Sequence, residues 1–208
     1  MFITMEGPDG SGKTLQIPLL AEFIRQQGYK VFTAREPGGT AIGDQVRGVL
    51  MNLANKGMSA QAETLLFCAA RAQLVNEVLR PRLQRGETVL LDRYADSTLA
   101  YQGYGHQNDL ALIRSVLDFA TGGLKPDLTL LLDIDPQEGL ERRQRGHGEW
   151  NRLDDYELAF HQRVRRGYLE MASAEPQRWR IVDASRPPDV VQSALQQEFL
   201  SFISHKLK

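Results

Sequence analysis

The chain is poor in several things, and each shortage excludes a class of protein. It holds one cysteine, Cys68, so no internal disulfide can form. That thiol lies in an apolar helical stretch, where a small core side chain is expected. No apolar run approaches the roughly 18 residues a membrane span requires, and no targeting segment is visible, so a cytoplasmic protein with no membrane partner is expected. The four histidines, His106, His147, His161 and His205, show no metal-ligand spacing. A net charge of −1 argues against a general nucleic-acid binder, although it allows local basic clusters. Internal repeats, low-complexity blocks and linkers are missing as well, so the 208 residues are expected to form a single domain, 1–208.

What is present begins with residues Phe2 to Thr14. A short apolar run leads into Gly7-Pro8-Asp9-Gly10-Ser11-Gly12-Lys13-Thr14, the Gly-x-x-x-x-Gly-Lys-Thr phosphate loop. Glycines are needed there because backbone N–H groups must close around phosphate oxygens, and a Cβ would hold the chain away. The helix that follows points its positive end at the same anion. Lys13 is expected to reach the β- and γ-phosphates of ATP, and the Thr14 hydroxyl to ligate Mg²⁺. Pro18 falls inside that helix and predicts a kink.

Further along, apolar runs alternate with helical patterns. Strands are predicted at Phe2–Met5, Val31–Ala34, Thr88–Leu91, Leu128–Leu132 and Trp179–Val182, with a closing helix from Pro188 to Lys206. The alternation predicts an α/β fold, a parallel sheet covered by helices on both faces. Residues 60–85 read as helix with a break near Pro81, Gly103-Tyr104-Gly105 as a loop, and Asp154 to Ala172 as a long helix. Asp109 and Asp135 are expected helix caps, the latter with Pro136 at the first turn and Glu138 completing a capping box.

Charged residues gather at the predicted carboxyl ends of the strands, where open α/β sheets bind ligands. Arg35 ends the second strand, with a surface pair to Glu36 as its plainer role. Asp92-Arg93 ends the third, and Asp92 is a candidate Mg²⁺ ligand. Asp133 ends the fourth, and spacing alone does not separate it from Asp92. Phe67 and Arg71 are four apart on one helical face, as are Ser97 and Tyr101, with Gln102 beside them. Arginines cluster at Arg142, Arg143, Arg145 and Arg152 around Gly146-His147-Gly148. A guanine-reading Asn-Lys-x-Asp is not found, since Asn55-Lys56 runs into Gly57-Met58, which argues against a GTP-dependent switch.

The phosphate loop, Arg35-Glu36-Pro37-Gly38-Gly39-Thr40 and Asp92-Arg93-Tyr94 together, in order, resemble the thymidylate kinase family of bacterial type over essentially the full length. The resemblance implies a phosphate-loop fold with a five-stranded parallel sheet, a homodimer formed through helix packing, and the reaction ATP + dTMP = ADP + dTDP. It implies that Asp9 binds the sugar 3′-hydroxyl and that Arg35 and Arg93 hold the dTMP phosphate. Phe67 would stack on thymine, Arg71 donate to its O4, Ser97 and Gln102 line the pocket, and Tyr101 occupy the space of a ribose 2′-hydroxyl. Asp92 would assist Mg²⁺ through water, ahead of Asp133. A mobile basic lid at about 141–153 would supply a catalytic arginine from Arg142, Arg143, Arg145 or Arg152, because the loop itself carries none. Two departures stand out: Leu15 follows Thr14 where a second Thr is common, and Pro18 is unusual. A kinase for another nucleoside monophosphate and a non-catalytic nucleotide-binding protein are the alternatives.

Overall fold

The computed structural model describes residues 1–146 and 151–206, with side chains through 204. The centre of the expected lid, including His147 and Gly148, lies outside the described residues, as does the His205 side chain.

Five strands, β1 (Phe2–Glu6), β2 (Val31–Arg35), β3 (Thr88–Asp92), β4 (Leu128–Asp133) and β5 (Trp179–Asp183), form one sheet in the order β2-β3-β1-β4-β5. Every pairing is parallel. The central strand β1 is buried at all five positions, as a strand with neighbours on both sides and helices on both faces must be. Its side chains alternate between faces: Ile3 and Met5 join a core with Leu20, Ile24, Leu195 and Phe199, whereas Phe2 packs with Leu74, Leu79 and Tyr94. Thus α1 (Lys13–Gln26) and α9 (Pro188–Lys206) cover one face. The other carries α3 (Ala60–Leu74), α6 (Leu110–Thr121) and α8 (Leu158–Ala174), and Cys68 is a buried free thiol in that second core. The remaining helices are α2 (Ala41–Met51), α4 (Arg80–Gln84), α5 (Ala95–Thr98) and α7 (Pro136–Arg145).

Several local expectations need correction. The helix from Ala60 does not break at Pro81: a π-helical turn over Val75–Leu79 joins α3 to α4, and its wider ring leads into the proline without interrupting the helical path. Gly103-Tyr104-Gly105 is not a loop but the end of a π-helical segment, Leu99–Gly105, continuous with α5. Glycine at 105 lets Phe160 of α8 pack directly against the helical backbone, where a Cβ would collide with its ring. The long helix expected from Asp154 starts at Leu158 instead, because Asp154 is buried and its carboxylate is taken by Arg143 and Asn151. Asp135 caps α7 by accepting from the Gln137 N–H, but Glu138 bonds Arg142 instead of closing a capping box. Pro18 lies inside α1, which is assigned without interruption from Lys13 to Gln26.

Strand register sets the site. Met5 pairs with Asp92 and Arg35 with Asp92 in adjacent ladders, so β1, β3 and β2 end together. The phosphate loop, Asp92-Arg93 and Arg35 therefore share one rim of the sheet.

Candidate active site

The loop between β1 and α1 turns through Gly7, Gly10 and Gly12 at φ of 146°, 75° and 92°. A Cβ at Gly10 would overlap the carbonyl of Gly139 in α7, so the loop and α7 pack backbone to backbone. Lys13 is buried and donates to Gly7 O at 2.9 Å, Pro8 O at 2.9 Å and Ser11 Oγ at 3.1 Å. Burial, with Arg93 adding to it, lowers its ammonium from 10.5 to about 8, although Asp92, Asp9 and Glu6 pull the other way. Thr14 is exposed in the first turn of α1.

Arg93 follows β3 with φ of 65°, a left-handed backbone that non-glycine residues rarely adopt and that tends to mark functional positions. Its Nη1 donates to Gly7 O at 3.0 Å, the same carbonyl that Lys13 bonds. Two cations, one at the start of α1 and one just past β3, thus converge on one oxygen of the phosphate loop. Nη1 also reaches Ser97 Oγ and Tyr168 OH, each at 3.2 Å, while Nη2 bonds Asp9 Oδ1 at 2.7 Å and Tyr101 OH at 3.1 Å. The Tyr101 hydroxyl donates to Asp9 Oδ2 at 2.6 Å. Burial alone would raise the Asp9 carboxyl, but Arg93, Lys13 and the Tyr101 hydroxyl bring it down to about 2.

Beneath this layer lies Glu6, fully buried, which no motif pointed to. It accepts from Tyr94 N at 2.7 Å, Ser97 Oγ at 2.5 Å and Tyr168 OH at 3.1 Å, so it holds two of the hydroxyls that touch Arg93. Burial and then the Asp96 charge raise its carboxyl to about 7, against the Ser97 hydrogen bond, the Arg93 charge and the Tyr94 amide.

Along α3, Phe67 and Arg71 lie one turn apart on the same face. Phe67 is buried yet belongs to none of the three core clusters. Arg71, one turn on, is also buried. Its Nε and Nη2 meet Glu36 Oε2 at 2.8 and 2.5 Å, Nη1 donates to Thr98 Oγ1 at 2.9 Å, and Nη2 to Tyr94 O at 3.0 Å. Glu36 therefore pairs with Arg71, not with Arg35. Arg35 is exposed at the rim, and Arg47 of α2, which sequence reasoning missed, donates to Pro37 O at 3.1 Å. Burial lowers the Arg47 guanidinium, and the nearby Arg35 charge lowers it further, so the two cations lie close together. Gln102 donates to Glu63 at 2.8 Å.

Side-chain chemistry separates the two aspartates that spacing could not. Asp133 is bound through both oxygens by Arg165, at 2.8 and 2.9 Å. Asp92 Oδ1 is buried with no hydrogen-bond partner. An unsatisfied buried carboxylate oxygen at the end of β3 suits a cation or its water.

The four arginines near residue 147 occupy different settings. Arg142 donates to Ala184 O at 2.8 Å and Ser185 O at 3.1 Å, in the turn after β5. Arg143 pairs with Asp154 at 3.1 Å. Arg145 is 77% exposed, held by Glu141 one turn away. Arg152 is only 3% exposed and points inward to Glu63, Leu50 O and the Tyr156 hydroxyl.

The chain is similar to proteins already known. The family model described as thymidylate kinase matches residues 5–195. A thymidylate kinase from Roseiflexus sp. (strain RS-1) is 52% identical over 195 residues, covering 88% of this chain and 86% of the relative. One from Deinococcus radiodurans is 51% identical over 195 residues, covering 94% of each. Among solved structures, a thymidylate kinase from Ehrlichia chaffeensis superposes with a TM-score of 0.75 at 32% identity, over 98% of both chains. By sequence and by fold, the chain belongs to the thymidylate kinase family.

Proposed function

We propose that the chain transfers the γ-phosphoryl group of ATP to dTMP, giving ADP and dTDP, at the rim where β1 and β3 end. The observation that carries this is the convergence of Lys13 and Arg93 on the Gly7 carbonyl. Lys13 serves the ATP phosphates with the loop residues Gly7 to Thr14. Arg93, with Arg35 and Arg47, serves the phosphate of dTMP. Asp9 holds Arg93 in place and offers its carboxylate to the sugar 3′-hydroxyl, and Tyr101 and Ser97 complete that wall. Phe67 offers a face for thymine to stack on. Arg71 is fixed in orientation by Glu36, Thr98 and Tyr94 and can only donate, so it suits the thymine O4 acceptor and opposes the amino group of cytosine.

The acceptor needs no general base. A phosphate monoester has a second pKa near 6, so it is mostly a dianion at neutral pH. Bringing two anions in line is an electrostatic problem, and fixed cations in a water-poor site address it. Mg²⁺ fits the unpartnered Asp92 oxygen together with the Thr14 hydroxyl, and it would neutralise charge on the ATP phosphates. Of the lid arginines, Arg145 is the least restrained and is assigned to the transferred group, while Arg142, held at the turn after β5, borders the adenine end.

The single domain 1–208 with a basic lid at about 141–153 belongs to the same reading, as does a homodimer. In support of the dimer, α3 packs between α2 and α6, and these helices leave Val49, Leu65, Leu112 and Phe119 exposed, the last at 90%. A cytoplasmic setting follows from ATP as donor. Among the described residues no helix is long and apolar enough to cross a membrane.

Initial rates of ADP formation with dTMP, dUMP, dCMP, dGMP and UMP test the assignment. The expected order is dTMP first, dUMP weaker and the rest poor. A preference for dCMP or a purine would transfer the function to another nucleoside monophosphate, and no turnover with any would leave a binding protein.

A further inference from the structure

We propose that Glu63 is a positioning residue that couples the donor and acceptor sites, by fastening the chain after residue 150 to the wall that reads the acceptor base. This rests on the site assignments above. Glu63, Phe67 and Arg71 follow one another at intervals of four along α3, so they lie on one stripe of that helix. Glu63 is fully buried and gathers four groups from two other segments. Its Oε1 accepts from Gln102 at 2.8 Å and lies 3.1 Å from His106 Nε2, both in or just after the π-helical segment that carries Tyr101. Its Oε2 accepts from the Tyr156 hydroxyl at 3.0 Å and pairs with Arg152 Nη2 at 2.5 Å. Arg152 also donates to Leu50 O at 2.9 Å, at the end of α2. Burial alone would raise the Glu63 carboxyl, but the His106 and Gln102 hydrogen bonds and the Arg152 charge take it down to about 2, so the group is a carboxylate throughout the working range.

Arg142 of α7 is fastened on the donor side. Arg142 bonds the carbonyls of Ala184 and Ser185. That turn leads into α9, whose Pro188 carbonyl accepts from Gln16 of α1, the helix of the phosphate loop. Gln102, which Glu63 holds, directly follows Tyr101, whose hydroxyl donates to Asp9 of the phosphate loop, so Glu63 ties the thymine side to the ATP side through that π-helical segment. A nucleotide that moves α3 against Phe67 and Arg71 also moves the anchor of Arg152. Coupling of this kind is reciprocal between the two ligands and commonly amounts to about 5- to 150-fold in affinity.

The test is calorimetric titration of the full chain with Mg²⁺ and a non-hydrolysable ATP analogue, with and without saturating dTMP. In the wild type, dTMP is expected to tighten the analogue about 5-fold or more. In Glu63→Gln, each nucleotide alone should bind within about 3-fold of wild type while the tightening falls toward none; a general loosening of the fold would instead weaken both ligands and leave the ratio intact. Tyr156→Phe, which removes one hydroxyl from Glu63 and keeps its charge, should reduce the tightening at least about 2-fold, and it keeps the test available if Glu63→Gln does not fold. Wild-type tightening retained in whichever variant is folded would overturn the proposal, as would a wild type that binds both nucleotides independently. A wild type that binds neither would instead overturn the site assignments on which the proposal stands.

Discussion

Arg71 and Glu36 form a buried ion pair, 2.5 Å apart and only 1% and 3% exposed, between the last turn of α3 and the residue after β2. It orients the one side chain on α3 that can read a base edge. Burial raises the Glu36 carboxyl, and the Arg71 charge and hydrogen bond oppose that rise.

Arg71→Ala therefore has two effects. The KM for dTMP should rise by about 10-fold or more while that for ATP changes little, because the lost donor faces only the acceptor base. The fold should also lose about 3–5 kcal/mol, since Glu36 is left buried without its partner. Steady-state kinetics and thermal melts read the two separately. Equal changes in both KM values would contradict the base-reading role.

The two strand-end aspartates should behave differently when neutralised. Asp92→Asn is expected to raise the Mg²⁺ concentration for half-maximal activity by about 10-fold, with little change in Tm. Asp133→Asn weakens its pair with Arg165 and should leave the Mg²⁺ requirement unchanged, at a stability cost of about 1 kcal/mol or less because the pair is partly exposed. Magnesium titrations of both variants decide between them.

Glu6 predicts an unusual pH dependence of stability. The folded chain holds its proton up to about 7, whereas in the unfolded chain the carboxyl titrates near 4.5. Between those values the folded state binds more protons, so the contribution of this group to stability falls as pH rises from about 4.5 to about 7. Glu6→Gln cannot titrate. Its Tm relative to wild type should improve between pH 5 and pH 8, and parallel curves would contradict the buried, proton-holding carboxyl.

Much of this was legible in the sequence where chemistry is local. The strands fall within a residue of their predicted ends, because a buried parallel strand is a short apolar run between turn signals. The phosphate loop is a spacing of glycines before a lysine. The Asp135 and Asp109 caps are set by immediate neighbours. What was not legible depends on distant partners. Glu36 looked like a partner for Arg35, its chain neighbour, but its side chain meets Arg71, 35 residues on. Glu6 is a lone carboxylate in a strand, and its three donors come from residues 94, 97 and 168. Glu63 and Arg47 sit on helices with no motif around them. Gly103 and Gly105 signalled a loop, yet they serve close helix packing, a purpose that glycine spacing does not distinguish from a turn.

The claim on which the account rests is that fixed cations, with no proton-abstracting side chain, drive transfer between the two phosphates. Single-turnover phosphoryl transfer from ATP to dTMP by Lys13→Ala, alongside its Kd for dTMP, tests it most directly. The account predicts a rate at least about 10²–10³-fold below wild type with dTMP binding within about 3-fold. A transfer rate close to wild type after removal of that ammonium would contradict it.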